Sequence, residues 1–157
     1  MPDLGAFGVV RTNGWAARGI RWVTRSDVNH AFVHVGDGQI IEARPSGAGY
    51  NHVESYPGAL WSTLPDKAAG AKVAAAAVSL IGTPYSWVDC AAIGLADTFG
   101  WHVPRVVRAR LARADRMMCS QLVDEAYRRA GIELFSDGRI PGDVAPNDLE
   151  RLIGAKP

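Results

Sequence analysis

Asn29-His30-Ala31-Phe32-Val33-His34-Val35, then Gly36-Asp37-Gly38, then Gln39-Ile40-Ile41-Glu42-Ala43-Arg44, is the stretch that decides the architecture of this chain. Two runs rich in β-branched and aromatic residues flank a glycine-bearing turn, the pattern of a β-hairpin. The length of the turn sets which side chains meet. If the loop is Gly36-Asp37-Gly38, Val35 faces Gln39 and Phe32 faces Glu42, so His30, Phe32 and Glu42 share one face. If it is only Asp37-Gly38, the register slips by one and Glu42 points the other way. Both turns are chemically reasonable, and the residues leave both open. A carboxylate in the context Ile-Ile-Glu-Ala is costly to bury alone, which favours a partner for Glu42 over an edge-exposed role.

On the N-terminal side, residues 7–12 and 20–24 carry short apolar runs. On the C-terminal side, residues 44–64 are rich in Gly, Pro, Ser and Tyr and predict a loop with one further strand. Asp66 then precedes an Ala/Val/Leu stretch that ends at Gly82, a helix with an N-cap and a terminal glycine. Residues 89–99 and 105–114 predict two more helices. Cys119-Ser-Gln-Leu-Val-Asp-Glu-Ala-Tyr-Arg-Arg-Ala-Gly131 places Leu122, Val123, Ala126, Tyr127 and Ala130 at helical spacing, and Gly131 stops the run. A turn-rich tail follows, with a short helix from Pro146. Strands first and helices afterwards make an α+β pattern, and the absence of repeats or linkers predicts one domain over 1–157.

Composition narrows the functional classes. The 157 residues carry 17 basic and 16 acidic side chains, a net charge of +1, so no basic stripe suits nucleic acid. The arginines between Arg105 and Arg116 fit the solvated face of a helix, with an anionic polymer or membrane surface as the minority reading. Two cysteines, Cys90 and Cys119, make no disulfide framework, and no Cys/His cluster suggests zinc. No cofactor is expected. The start of the chain lacks the features of a signal peptide, and the apolar tract Val73–Ile81 is too short to span a bilayer. A soluble protein, cytoplasmic as synthesised, is therefore expected, with phage origin or non-classical export compatible.

Cys119 heads its helix, where unpaired N–H groups and the positive end of the dipole favour a thiolate. It is also in phase with Leu122 and Ala126, and a buried thiol commonly acts as a small apolar residue. A nucleophilic thiol needs a base. His30 and His34 lie about 13 Å apart along one strand at about 3.3 Å per residue, too far to share a metal. His34, near the turn, reads as a surface or packing histidine, and His52 and His102 fall in expected loops.

The segment from Asn29 to Ala43 resembles the His motif of the circularly permuted NlpC/P60 enzymes. These are papain-like thiol hydrolases that include the YiiX-like proteins and, more distantly, the lecithin:retinol acyltransferase group. Cys119-Ser-Gln-Leu-Val-Asp-Glu-Ala-Tyr resembles the family's Cys helix, and Ile81-Gly-Thr-Pro-Tyr-Ser-Trp the segment before it. The resemblance implies a papain-like α+β fold, an antiparallel sheet packed on a Cys-bearing helix. It also implies a triad of Cys119, His30 and Glu42, and its even His–Glu separation matches the three-residue loop. Met117-Met118 stands where many relatives carry an aromatic, which leaves Tyr85 as a substitute whose default role is packing beside Pro84; the backbone N–H of Cys119, with that of Ser120, is the other candidate to support an oxyanion. Cys90 matches nothing catalytic, and the five tryptophans read as core by default. The implied substrate is a peptide or acyl-containing small molecule, with cell-wall peptides leading. A lipid acyl hydrolase or acyltransferase, and a non-catalytic module retaining the fold, are the alternatives.

Overall fold

The computed structural model describes residues 1–12, 28–84 and 118–154. The expected helices at 89–99 and 105–114, the run at 20–24, Tyr85, Cys90, His102, the arginines from Arg105 to Arg116 and Trp15, Trp22, Trp87 and Trp101 lie outside these residues.

Five strands form one antiparallel sheet: β1 (Phe7–Val10), β2 (His30–Gly36), β3 (Gln39–Arg44), β4 (Gly47–His52) and β5 (Leu60–Trp61). Their order is β4-β3-β2-β1-β5, which puts the hairpin strand β2 at the centre. Three helices are described: α1 (Lys67–Val78), α2 (Cys119–Arg129) and α3 (Pro146–Gly154). The architecture is α+β, as the order of segments predicted.

The hairpin combines features of both expected turns. Gly36 pairs with Gln39, so the loop is the two residues Asp37 and Gly38, which take the positive φ values of 50° and 70° that a tight turn of this hand demands. That loop alone would have rotated Glu42 away. A bulge between His34 and Gly36 adds one residue to β2 and restores the other register, so Phe32 faces Glu42. The expectation that a two-residue loop must turn Glu42 to the other side is corrected by that extra residue.

Alternation along the strands gives the sheet two different faces. Phe7, Val9, Ala31, Val33, Ile41 and Ala43 pack with Val73 and Ala77 of α1 and Leu122, Val123, Ala126 and Tyr127 of α2 in the main core. Each fully buried Val, Leu, Ile or Phe side chain there contributes roughly 1.5–3 kcal/mol. The hydroxyl of Tyr127 reaches the carbonyls of Gly5 (2.9 Å) and Leu64 (2.7 Å), tying α2 to both flanking loops. On the opposite face Val10, Phe32 and Ile40 are covered by Val53, Tyr56, Ala59 and Trp61. The region 44–64 therefore holds two strands and a 3-10 turn (Val53–Ser55), more than the single strand expected. Its glycines and serines hid the pairing, which is supplied by β3 and β1 rather than by local propensity.

Asp66 caps α1 by accepting the Ala69 N–H at 3.0 Å. The helix ends at Val78, short of the expected Gly82. Gly82 N–H bonds to Ala48 O (2.9 Å) and Ala48 N–H to Thr83 O (2.8 Å), so the chain leaves the helix to attach to β4. The tail docks on α2 and continues into α3 from Pro146, where the sequence predicted it. Among the described residues, no helix is long and apolar enough to cross a membrane.

Candidate functional site

Glu42 sits in the middle of β3, on the sheet face away from the main core, and is fully buried. Its carboxylate is surrounded by donors from four directions. Oε2 accepts from His30 Nε2 (2.6 Å) and from the Tyr56 hydroxyl (2.6 Å). Oε1 accepts from Asn51 Nδ2 (2.8 Å) and lies 3.2 Å from the guanidinium Nε of Arg44. Burial pushes the carboxyl toward its neutral form, but the bonds from His30 and Tyr56, the attraction of His30 and the bond from Asn51 outweigh it. Glu42 is held below the ordinary carboxylate range.

An ionised Glu42 fixes the tautomer of His30. Nε2 must carry a proton to donate to it, which leaves Nδ1 for the thiol of Cys119, to which the ring is hydrogen-bonded. Burial disfavours the imidazolium, yet the bonds to Cys119 and Glu42 and the charges of both raise the His30 pKa to about 9. The reciprocal effect falls on the thiol. Burial opposes the thiolate, while His30 and the amides of Ala31 and Ser120 favour it, and Cys119 is held below the ordinary thiol range.

Both amides are free for local reasons. The β2–β3 ladder runs back from the turn to Phe32 and Glu42 and stops there. The next residue along β2, Ala31, directs its N–H to the sulfur. At the head of α2 the N-cap is Met118, whose thioether is only a weak acceptor toward the third helical amide. A Ser or Asp there would take the N–H of the second or third helical residue. With Met118 in place, the Ser120 amide serves Cys119 instead. The Gln121 side chain accepts the Met118 N–H at 3.2 Å and steadies the turn.

Cys119, His30 and Glu42, chosen from the sequence, are thus brought together. The Ser120 hydroxyl is not part of the group, since it donates to Val144 O (2.6 Å) and docks the tail; only its amide reaches the site. His34 is a buried packing residue with Nδ1 against Asp3 O (3.0 Å). Sequence reasoning missed Tyr56, Asn51 and the Ala31 amide. The first two lie in the irregular region 44–64 without periodicity, and the third depends on where a ladder ends.

Comparison with known proteins bears on the fold. No family model matches the chain, and no curated protein matches its sequence. Among solved structures, the crystal structure of YiiX from Escherichia coli O157:H7 superposes with a TM-score of 0.60 at 18% identity. The match covers 85% of this chain and 69% of that one. The fold is YiiX-like.

The Escherichia coli YiiX is described as a metalloprotein. Among the described residues here, no group of three or more His, Cys, Asp or Glu side chains could hold a metal ion. In the Cys119 site itself, both nitrogens of His30 are engaged, one by Glu42 and one by Cys119, and Glu42 already accepts from three donors and faces Arg44. These residues do not fit a metal.

Proposed function

We propose that this chain is a cysteine hydrolase of amide bonds, of the permuted NlpC/P60 kind, with Cys119 as nucleophile, His30 as acid and base, and Glu42 as the orienting carboxylate. One observation carries the reading. A thiol at a helix N-terminus is bonded to an imidazole whose other nitrogen is bonded to a buried carboxylate. Nucleophile, base and orienter in sequence are what thiol acyl transfer requires.

The steps follow from the groups present. The Cys119 thiolate attacks the substrate carbonyl carbon, and the developing oxyanion is stabilised by amides at the head of α2. Collapse expels the leaving amine, which takes the Nδ1 proton of imidazolium His30 and leaves a thioester on Cys119. Neutral His30 then deprotonates water, whose oxygen attacks the thioester. Release of the acid returns thiolate and imidazolium. Glu42 keeps Nε2 protonated throughout, so Nδ1 is always the nitrogen that gives and takes the proton.

Cell-wall peptides are the substrate class supported by the sequence resemblance, and lipid acyl esters are the alternative. Turnover of a mixed pool of wall peptides and acyl lipids, read by mass spectrometry, tests both. Cys119→Ala should abolish product formation, and retained turnover would remove the assignment. Labelling of Cys119 by iodoacetamide at neutral pH separates an enzyme from a non-catalytic module. Fast labelling that is lost in His30→Ala supports the enzyme; slow labelling indifferent to His30 supports the module.

A further inference from the structure

Glu42 Oε2 receives two donors at the same distance, His30 Nε2 and the Tyr56 hydroxyl, both at 2.6 Å. A carboxylate oxygen offers two lone-pair directions in its plane. With Tyr56 on one, the imidazole is confined to the other. Tyr56 is itself held firmly. Its ring stacks on Phe32 with centroids 4.9 Å apart and planes inclined by 11°, and lies 5.4 Å from the ring of His30. Its backbone closes the 3-10 turn, Tyr56 N–H to Val53 O at 3.1 Å, and that turn is tied to the hairpin tip by Val53 N–H to Gly38 O at 2.9 Å. At the end of the same turn, Ser55 Oγ donates to Asn51 Oδ1 (2.9 Å), which aims the Asn51 amide at Glu42 Oε1.

We propose that Tyr56, assisted by Asn51, is a positioning residue that fixes His30 through Glu42 and sets the pH window in which Cys119 exists as thiolate. The proposal rests on the thiol-hydrolase reading above and adds a regulator of the same site. Tyr56 acts on the site by sharing the charge of Glu42. The groups that face this carboxylate are His30 from β2, Arg44 from β3, Asn51 from β4 and Tyr56 from the covering segment, with Cys119 of α2 beyond the imidazole. A donor that stabilises the carboxylate weakens its pull on the imidazolium. Removing the Tyr56 hydroxyl therefore leaves Glu42 more basic and its hold on the imidazolium stronger. The imidazolium then persists to higher pH, and the thiol, facing a better-neutralised imidazolium, ionises at higher pH.

The test is the rate of Cys119 alkylation by iodoacetamide from pH 5 to 10 in wild type, Tyr56→Phe, Tyr127→Phe and His30→Ala. In Tyr56→Phe both limbs of the profile should move up by about 0.5–1 pH unit, the size expected for losing one hydrogen bond to a charged group at one remove. Tyr127→Phe deletes another buried hydroxyl, in the main core, and should lower the melting temperature without moving the limbs. A Tyr56→Phe profile that overlays wild type while His30→Ala alters it would overturn the role of Tyr56 and leave the thiol-hydrolase reading standing. A wild-type profile indifferent to His30→Ala would overturn both. Should Tyr56→Phe fail to fold, Asn51→Ala removes a donor from the other oxygen; an upward shift supports the proposal and an unmoved profile refutes it.

Discussion

Replacing Glu42 by Gln removes one charge and preserves nearly all of the volume, so it isolates what the carboxylate does. In the native site the carboxylate accepts from His30, Tyr56 and Asn51 and faces the Arg44 guanidinium. A Gln side chain has one acceptor oxygen. With that oxygen toward His30 and Tyr56, its NH2 is driven against the Asn51 amide and the Arg44 guanidinium, donor against donor. A charge-assisted hydrogen bond is worth about 1.5–3 kcal/mol. At about 1.4 kcal/mol per factor of ten, losing the one to His30 corresponds to roughly a 10- to 100-fold fall in the ratio of the imidazolium–thiolate pair to the neutral imidazole–thiol pair. The His30 pKa, held at about 9 partly by Glu42, falls. Wild type should therefore alkylate quickly at pH 6.5, while Glu42→Gln should be 10- to 100-fold slower there and gain rate only toward the alkaline range of an ordinary thiol. The assay is iodoacetamide modification followed by intact-mass spectrometry, with a thermal melt on the same samples. Turnover should be weakened but not abolished. A rate at pH 6.5 within threefold of wild type would refute the claim that the carboxylate sustains the ion pair.

Two further substitutions probe the surroundings. A Cβ on Gly8 would lie 2.4 Å from Phe32 Cε2, so Gly8→Ala must displace the ring on which Tyr56 stacks. A stability loss of about 1–3 kcal/mol, with slower Cys119 alkylation, is expected, and an unchanged melting temperature would contradict it. Asp124, on α2, is 3% exposed, and burial raises its pKa from 3.8 to about 6 despite the nearby Arg128. The native state thus holds this proton more tightly than the unfolded chain. Its contribution to stability falls as pH rises from about 4 to about 6, by up to about 3 kcal/mol at 1.36 kcal/mol per pKa unit. Asp124→Asn should raise the melting temperature at pH 7.5 and match wild type near pH 3.5; equal melting temperatures at pH 7.5 would refute the burial cost.

The elements that carry Cys119, His30 and Glu42 were legible because each follows from a local rule. Alternation marks β2 and β3, and apolar spacing with a closing glycine marks α2. The face on which Glu42 points was left open, since its register depends on a bulge at Val35, and a bulge compensates a short loop without changing the alternation of side chains in sequence. Tyr56 and Asn51 were not legible. They reach Glu42 through a turn anchored by backbone bonds to the hairpin tip, a long-range match that composition does not reveal. Gly8 is similar: its small size matters only because Phe32, on the neighbouring strand, lies across it.

The central claim is that Cys119 forms a covalent acyl intermediate with His30 as its proton carrier. Rapid quenching during turnover of the mixed peptide and lipid pool, followed by peptide-level mass spectrometry, measures it directly. The account predicts an acyl adduct on the peptide that contains Cys119, present in wild type and missing from Cys119→Ala and His30→Ala. Turnover that proceeds in Cys119→Ala, or an adduct that forms on another residue instead, would contradict it.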